Sequence, residues 1–138
     1  MLEMMVVLII VGITGSVTAG RIHQLMVQNR IQRAASAVRS DLEAAFALAG
    51  RNRQPIEITW NSSTMQLGIT NRAGTTAFRH TSLGMDAYGL RPQDVQFSAS
   101  PLEVYPDGLA ADTLNITISR GGNSKQVRMS RAGLILIQ

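Results

Sequence analysis

The first fifty or so residues read as one helix, and no other feature of the chain limits its fold as tightly. Residues 4–19 contain no charged side chain, and the apolar run MMVVLIIV lies unbroken within them. From Arg21 the pattern changes with no linker between. Ile22, Leu25, Met26, Ala34, Ala35, Val38, Leu42, Ala45, Phe46 and Ala49 recur at steps of three and four, the spacing of a single helix face. Gln24, Gln28, Arg30, Arg33, Arg39, Asp41 and Glu43 fall on the other face, and Gly50 before Arg51-Asn52 supplies a C-terminal stop. A helix of that length spans about 75 Å. Its apolar half projects, and its amphipathic half needs a surface to lie on.

Physics allows three readings of the apolar segment. A core helix apolar on every face needs a large protein around it, and the rest of this 138-residue chain offers little cover. A cleaved secretory signal would end at small residues such as Val17-Thr18-Ala19, but its basic leading region is missing and Glu3 stands there instead. A retained membrane helix fits best, because the segment runs in helical phase into the amphipathic half. Residues 4–19 cover about 24 Å as a helix, slightly short of the roughly 30 Å hydrocarbon core.

Beyond Pro55 the period becomes two. Ile56, Ile58 and Trp60 alternate with polar residues, Asn61-Ser62-Ser63-Thr64 turns the chain, and Met65, Leu67 and Ile69 alternate again, predicting a hairpin. Ala77 to His80 is a weaker strand, and residues 81–94, broken by Gly84, Gly89 and Pro92, read as a long connection. Val95, Phe97 and Ala99, then Leu102 and Val104, precede a turn at Pro106-Asp107-Gly108. Leu114, Ile116 and Ile118 alternate before Gly121-Gly122-Asn123, Val127 and Met129 come next, and Leu134 to Ile137 closes the chain. Short loops favour antiparallel pairing, so the expected fold is α+β: a long N-terminal helix whose amphipathic half covers one face of a C-terminal antiparallel sheet. The divisions are 1–20 for the apolar half-helix, 21–52 for the amphipathic half and 53–138 for the β domain.

Composition narrows function. The chain has no cysteine, which removes disulfides and thiolate chemistry, and its two histidines, His23 and His80, lie in unlike segments and do not make a metal site. No cofactor is expected. The net charge of +4 is spread without a basic block, so it does not choose among lipid, nucleic acid and protein partners. Asp41 with Glu43, and Asp107 with Asp112, are carboxylate pairs without a pocket that sequence can show, and they read as solvated or turn-forming residues rather than an active site.

The opening residues, a glutamate at position 3 and then Met4-Met5-Val6-Val7-Leu8-Ile9-Ile10-Val11-Gly12-Ile13, resemble the start of type IV pilins and type II secretion pseudopilins. Ser40-Asp41-Leu42, Pro55-Ile56, Tyr105-Pro106-Asp107-Gly108 and the ending Val127-Arg128-Met129-Ser130-Arg131-Ala132-Gly133 resemble the minor pseudopilin and minor pilin branch called GspH/FimT. Relative to that pattern, Met1 falls two residues inside the processed chain.

The resemblance implies a pilin-like fold and a structural subunit, not an enzyme, that initiates or caps a secretion pseudopilus or a type IV pilus. Its implied partners are other pilin subunits reached through the N-terminal helix, an inner-membrane assembly platform and a prepilin peptidase. The implied location is the bacterial inner membrane with the β domain in the periplasm, and the filament tip after assembly. Glu3 becomes the subunit contact, pairing with a neighbour's free amino terminus. The alternative implied by the branch is DNA binding during uptake. The basic C-terminal motif of DNA-uptake members, glycine-arginine-any-arginine, is replaced here by Gly133-Leu134-Ile135-Leu136, leaving Arg120, Lys125, Arg128 and Arg131 as the candidate nucleic-acid contacts.

Overall fold

The computed structural model describes the backbone of residues 2–138 and the side chains of residues 3–13 and 21–138. Helix α1 runs unbroken over Leu2–Asn52. It does not stop at Gly50. The helix continues through that glycine to Asn52, and Arg53 takes the left-handed conformation at φ 51° that ends it. A Cβ at position 50 would meet nothing within 4 Å. Gly50→Ala should therefore raise stability by about 1 kcal/mol through helix propensity, measured by chemical denaturation; a loss would mean that the glycine serves as a break.

Eight strands come after the helix: β1 (Ile56–Asn61), β2 (Gln66–Asn71), β3 (Ala77–Ser82), β4 (Val95–Phe97), β5 (Leu102–Val104), β6 (Leu114–Arg120), β7 (Asn123–Met129) and β8 (Ile135–Ile137). They form two four-stranded antiparallel sheets, in the orders β3-β2-β1-β5 and β4-β6-β7-β8, where the sequence pattern leads one to expect a single sheet. Alternation specifies each strand and each hairpin, but not that β5 leaves its sequence neighbours to pair with β1, placing Leu102 opposite Ile58 and Val104 opposite Ile56.

Because β4 and β5 lie in different sheets, the chain crosses between the sheets three times, from β3 to β4, from β4 to β5 and from β5 to β6, and side chains join the sheets there. Trp60 of β1 stacks on Phe97 of β4 with ring centroids 4.5 Å apart and planes 13° from parallel. Ser100 Oγ accepts the Trp60 N–H at 2.9 Å. β3 runs on to Ser82, two residues further than the pattern suggests, so the connection expected over 81–94 begins at Leu83; it is anchored by buried Leu83 and Leu90 and ends in a 3-10 turn over Pro92–Asp94.

Helix α1 lies against both sheets. Four of its buried residues are alanines, Ala34, Ala35, Ala45 and Ala49, each with no exposed surface, so the helix backbone can approach the strands closely around the larger Ile31, Val38 and Leu42. Two features differ from the expectation set by periodicity. The buried face begins at Val27, while Ile22, Leu25 and Met26 are more than half exposed, left uncovered by the β domain. Asp41, assigned to the solvated face, is 1% exposed. It lies three residues after Val38 and four before Ala45, on the stripe that packs inward.

Candidate assembly interface

Upstream of Val27 the helix carries a long apolar surface that the β domain does not cover. Met4, Met5, Val6, Val7, Leu8 and Ile9 are between 47% and 72% exposed, and Ile10, Val11 and Ile13 are similarly open. Exposure on all sides at successive positions differs from scattered surface leucines, and a continuous apolar surface of this kind marks an interaction or membrane-insertion site. Among the described residues no helix is long and apolar enough to cross a membrane. Glu3 is exposed in the first turn of α1. At 1.5 Å per residue it stands about 36 Å from Val27, so it makes its contribution far from the β domain.

The four basic residues near the C-terminus do not form one patch. Arg120 continues the inward alternation of Leu114, Ile116 and Ile118 on β6, and Lys125 shares the inner face of β7 with Val127 and Met129. Arg128 is on the outer face of β7, and Arg131 lies in the turn beyond it, its carbonyl accepting the Ala110 N–H at 2.8 Å.

The acids are placed individually. Glu43 is exposed and pairs with Arg39 one helical turn away, Nε to Oε1 at 2.7 Å. Asp107 Oδ1 accepts the Leu109 N–H and Asp112 Oδ1 the Thr113 N–H, as turn residues do. Asp41 differs. Arg79, from the edge strand β3, brings Nε to 2.7 Å from Asp41 Oδ1, yet neither carboxylate oxygen accepts an aligned hydrogen bond. This ion pair fastens an exposed edge strand to the helix.

A fifth acid, Glu103, links β5 to the turn after β2. Its carboxylate accepts the Tyr105 hydroxyl at 3.1 Å and faces Arg72 Nε at 3.1 Å. The hydrogen bond from the phenol, then the negative charge of Glu103, hold the Tyr105 pKa above its ordinary 10.0, with Arg72 acting the other way. The folded chain thus keeps this proton to higher pH than the unfolded one. The resulting contribution to stability is complete below the unfolded phenol's pKa and is lost as pH rises through the folded one. Tyr105 should titrate by NMR at higher pH than a tyrosine of the denatured chain, and Glu103→Gln should bring it back; an unchanged midpoint in that variant would assign the shift elsewhere.

One arrangement is not anticipated by the sequence pattern. A Cβ on Gly89 (φ 68°) would stand 2.9 Å from Arg30 Nη1 and 3.4 Å from Arg120 Nη1, so the two guanidinium groups lie side by side over that glycine. The signals are present in the chain: Arg30 lies three residues after Val27 and one before Ile31, at the margin of the buried stripe, and Arg120 ends an inward alternation.

By sequence, no protein-family profile and no curated protein matches the chain. By structure, it is similar to the type IV minor pilin FimU of Pseudomonas aeruginosa in two crystal forms. One has a TM-score of 0.64 at 18% identity over 80% of this chain and 90% of that one. The other has a TM-score of 0.60 at 18% identity over 78% and 91%. It is also similar to the minor pseudopilin EpsH of the Type 2 Secretion System of Vibrio cholerae, with a TM-score of 0.56 at 15% identity over 79% of this chain and 96% of that one. Identities this low establish a common architecture. The chain has the pilin-like α+β fold, a long N-terminal helix leading into antiparallel β structure.

Proposed function

We propose that the chain is a minor pilin or minor pseudopilin, a structural subunit that joins a helical filament through residues 3–26 of α1 and initiates or caps it. The observation that carries this reading is the continuous exposed apolar surface on residues 4–13, with a carboxylate at its tip, attached to a domain whose own core is already closed. The similarity to minor pilin and pseudopilin structures supports it at the level of fold.

Before assembly the same half-helix anchors the chain in the inner membrane with the β domain in the periplasm. A segment several ångströms short of the hydrocarbon thickness is accommodated by local thinning at fractions of a kcal/mol per Å. The partners in this reading are neighbouring pilin subunits, the assembly platform and the prepilin peptidase.

The test uses the full-length gene in its native host, with filaments sheared and fractionated from membranes. The chain is expected in the filament fraction at a small fraction of the main subunit. Its confinement to membranes while filaments form normally would contradict the assignment.

DNA uptake is the second reading. Its four candidate residues are divided between the two faces of the β6–β7 hairpin and the loop beyond, and we expect no mobility shift of a DNA duplex at low salt. A shift that weakens as salt rises would favour uptake instead.

A further inference from the structure

The junction between helix and domain carries a cationic cluster. Gly121 and Gly122 turn β6 into β7 with φ 58° and 81°, and the turn rests on α1, where a Cβ at Gly121 would lie 3.5 Å from Val27. Arg120 precedes the turn and Arg30 adjoins it across Gly89. Asn123, just after the turn, shares a groove with Arg21, Gln24 and Gln28 of the helix, and Arg33 lines the next groove with Arg30. Arg21, Arg30, Arg33 and Arg120 therefore collar the helix where it leaves the domain.

Among the described residues these charges have no ion-pair partner. The ion pairs formed among the described residues are Arg39 with Glu43, Arg72 with Glu103 and Arg79 with Asp41, and no member of the collar takes part. Nη1 of Arg120 is buried and donates to no protein acceptor. Asp94 lines the cleft beside Arg120, and its Oδ2 accepts the Arg91 N–H. Two guanidinium groups held side by side with no carboxylate between them form a receptor for an oxyanion.

The position of the collar selects the source of that oxyanion. Residues 4–19 are uncharged, Arg21 is the first charge after Glu3, and exposed Ile22, Leu25 and Met26 are interleaved with the arginines. A bilayer holding residues 4–19 has its headgroup layer about 5–7 Å beyond the hydrocarbon edge, which corresponds to the helix just past Arg21. Arg30 starts about 17 Å past residue 19 along the helix axis, but helical side chains lean toward the N-terminus and arginine stems are long, so a helix tilted toward about 40° from the bilayer normal brings its guanidinium to the edge of that layer.

We propose that Arg30 and Arg120, assisted by Arg21, bind the phosphate of anionic lipid headgroups and seat the β domain on the membrane before its extraction into a filament. This rests on the membrane-anchored state proposed above. The apolar half-helix holds the chain in any bilayer, and the collar adds a salt-sensitive preference for acidic lipid.

The experiment reconstitutes the full chain into neutral phosphatidylcholine vesicles and into vesicles with roughly one-third phosphatidylglycerol, then tracks flotation and amide hydrogen exchange. The expected result is flotation with both, and exchange in residues 119–124 slowed by about tenfold only on acidic vesicles. High salt or the Arg30→Gln/Arg120→Gln pair should abolish the slowing. Arg30→Gln alone, on the exposed helix surface, should weaken it without altering thermal unfolding.

Failure to float with either vesicle would remove the anchored state itself. Flotation with equal exchange on both lipids, or slowing that survives in the double variant, would overturn the lipid site alone. Equal slowing by inorganic phosphate or a DNA duplex on neutral vesicles would also overturn the lipid assignment.

Discussion

Replacing Glu3 by leucine should remove the chain from filaments while leaving its β domain as stable as before. The two mundane roles for this carboxylate are too weak to explain it. As a charge at a helix N-terminus it contributes about 0.3–1 kcal/mol. An acid at the end of a membrane helix costs less than the about 2.5–3.5 kcal/mol of the helix centre, but it gains nothing from hydrocarbon, so an anchor alone would be better served by leucine. A partner charge in the assembled state reverses that balance, because close charge pairs at protein interfaces couple by about 1.5–7 kcal/mol.

Glu3→Leu and Glu3→Gln should each lower incorporation by about tenfold or more, since about 1.4 kcal/mol already corresponds to a factor of ten. Both variants should remain in the membrane, and their β domains should unfold at the wild-type denaturant concentration, because Val27, where the buried face starts, is about 36 Å away. Normal incorporation of Glu3→Leu would end the role assigned to the acid.

The second large effect is expected at Asp41 and Arg79. Arg79→Ala leaves a carboxylate that is 1% exposed with no cation beside it. Orphaning one partner of a fully buried pair costs about 3–5 kcal/mol. Arg79 is 47% exposed, so water softens the loss, and about 2–3 kcal/mol is the expected figure. Asp41→Leu should cost far less, about 1 kcal/mol or nothing, because the arginine can turn to solvent and the vacated position is apolar. The double substitution should resemble Asp41→Leu alone.

Denaturant midpoints in detergent test that order. Amide exchange in β3 should also accelerate in Arg79→Ala, since Ala77–Ser82 is an exposed strand at the sheet edge. Equal costs for the two single substitutions would mean that the carboxylate is satisfied by another group.

The contrast between these sites shows what the sequence could reveal. The helix, its phase and the individual strands were legible because periodicity of about 3.6 and of 2 is a local property. The division into two sheets was not, since the pairing of β5 with β1 joins segments some forty residues apart, and alternation carries no information about partners. How far the cover extends was equally hidden: Ile22, Leu25 and Met26 continue the stripe that Val27 and Ile31 bury, and only the cover of the β domain separates them. Asp41 was misplaced for a different reason. Its position on the buried stripe was readable, but an acid there is improbable until Arg79 arrives from a strand thirty-eight residues later. The cluster of Arg30 and Arg120 likewise depends on a loop glycine between them.

The chain's lack of cysteine makes one experiment unusually direct. Leu8→Cys places a thiol on the exposed apolar half-helix, and Ser62→Cys places one on the exposed turn between β1 and β2 as a control. Each full-length variant is expressed in the native host, filaments are assembled, and short bifunctional thiol reagents are applied with cysteines introduced into the apolar helix of the main filament subunit. Adducts joining Leu8→Cys to that helix are expected in the filament fraction, and none from Ser62→Cys. Filaments that form normally but yield no helix-to-helix adduct at Leu8→Cys would contradict assembly through the apolar half-helix.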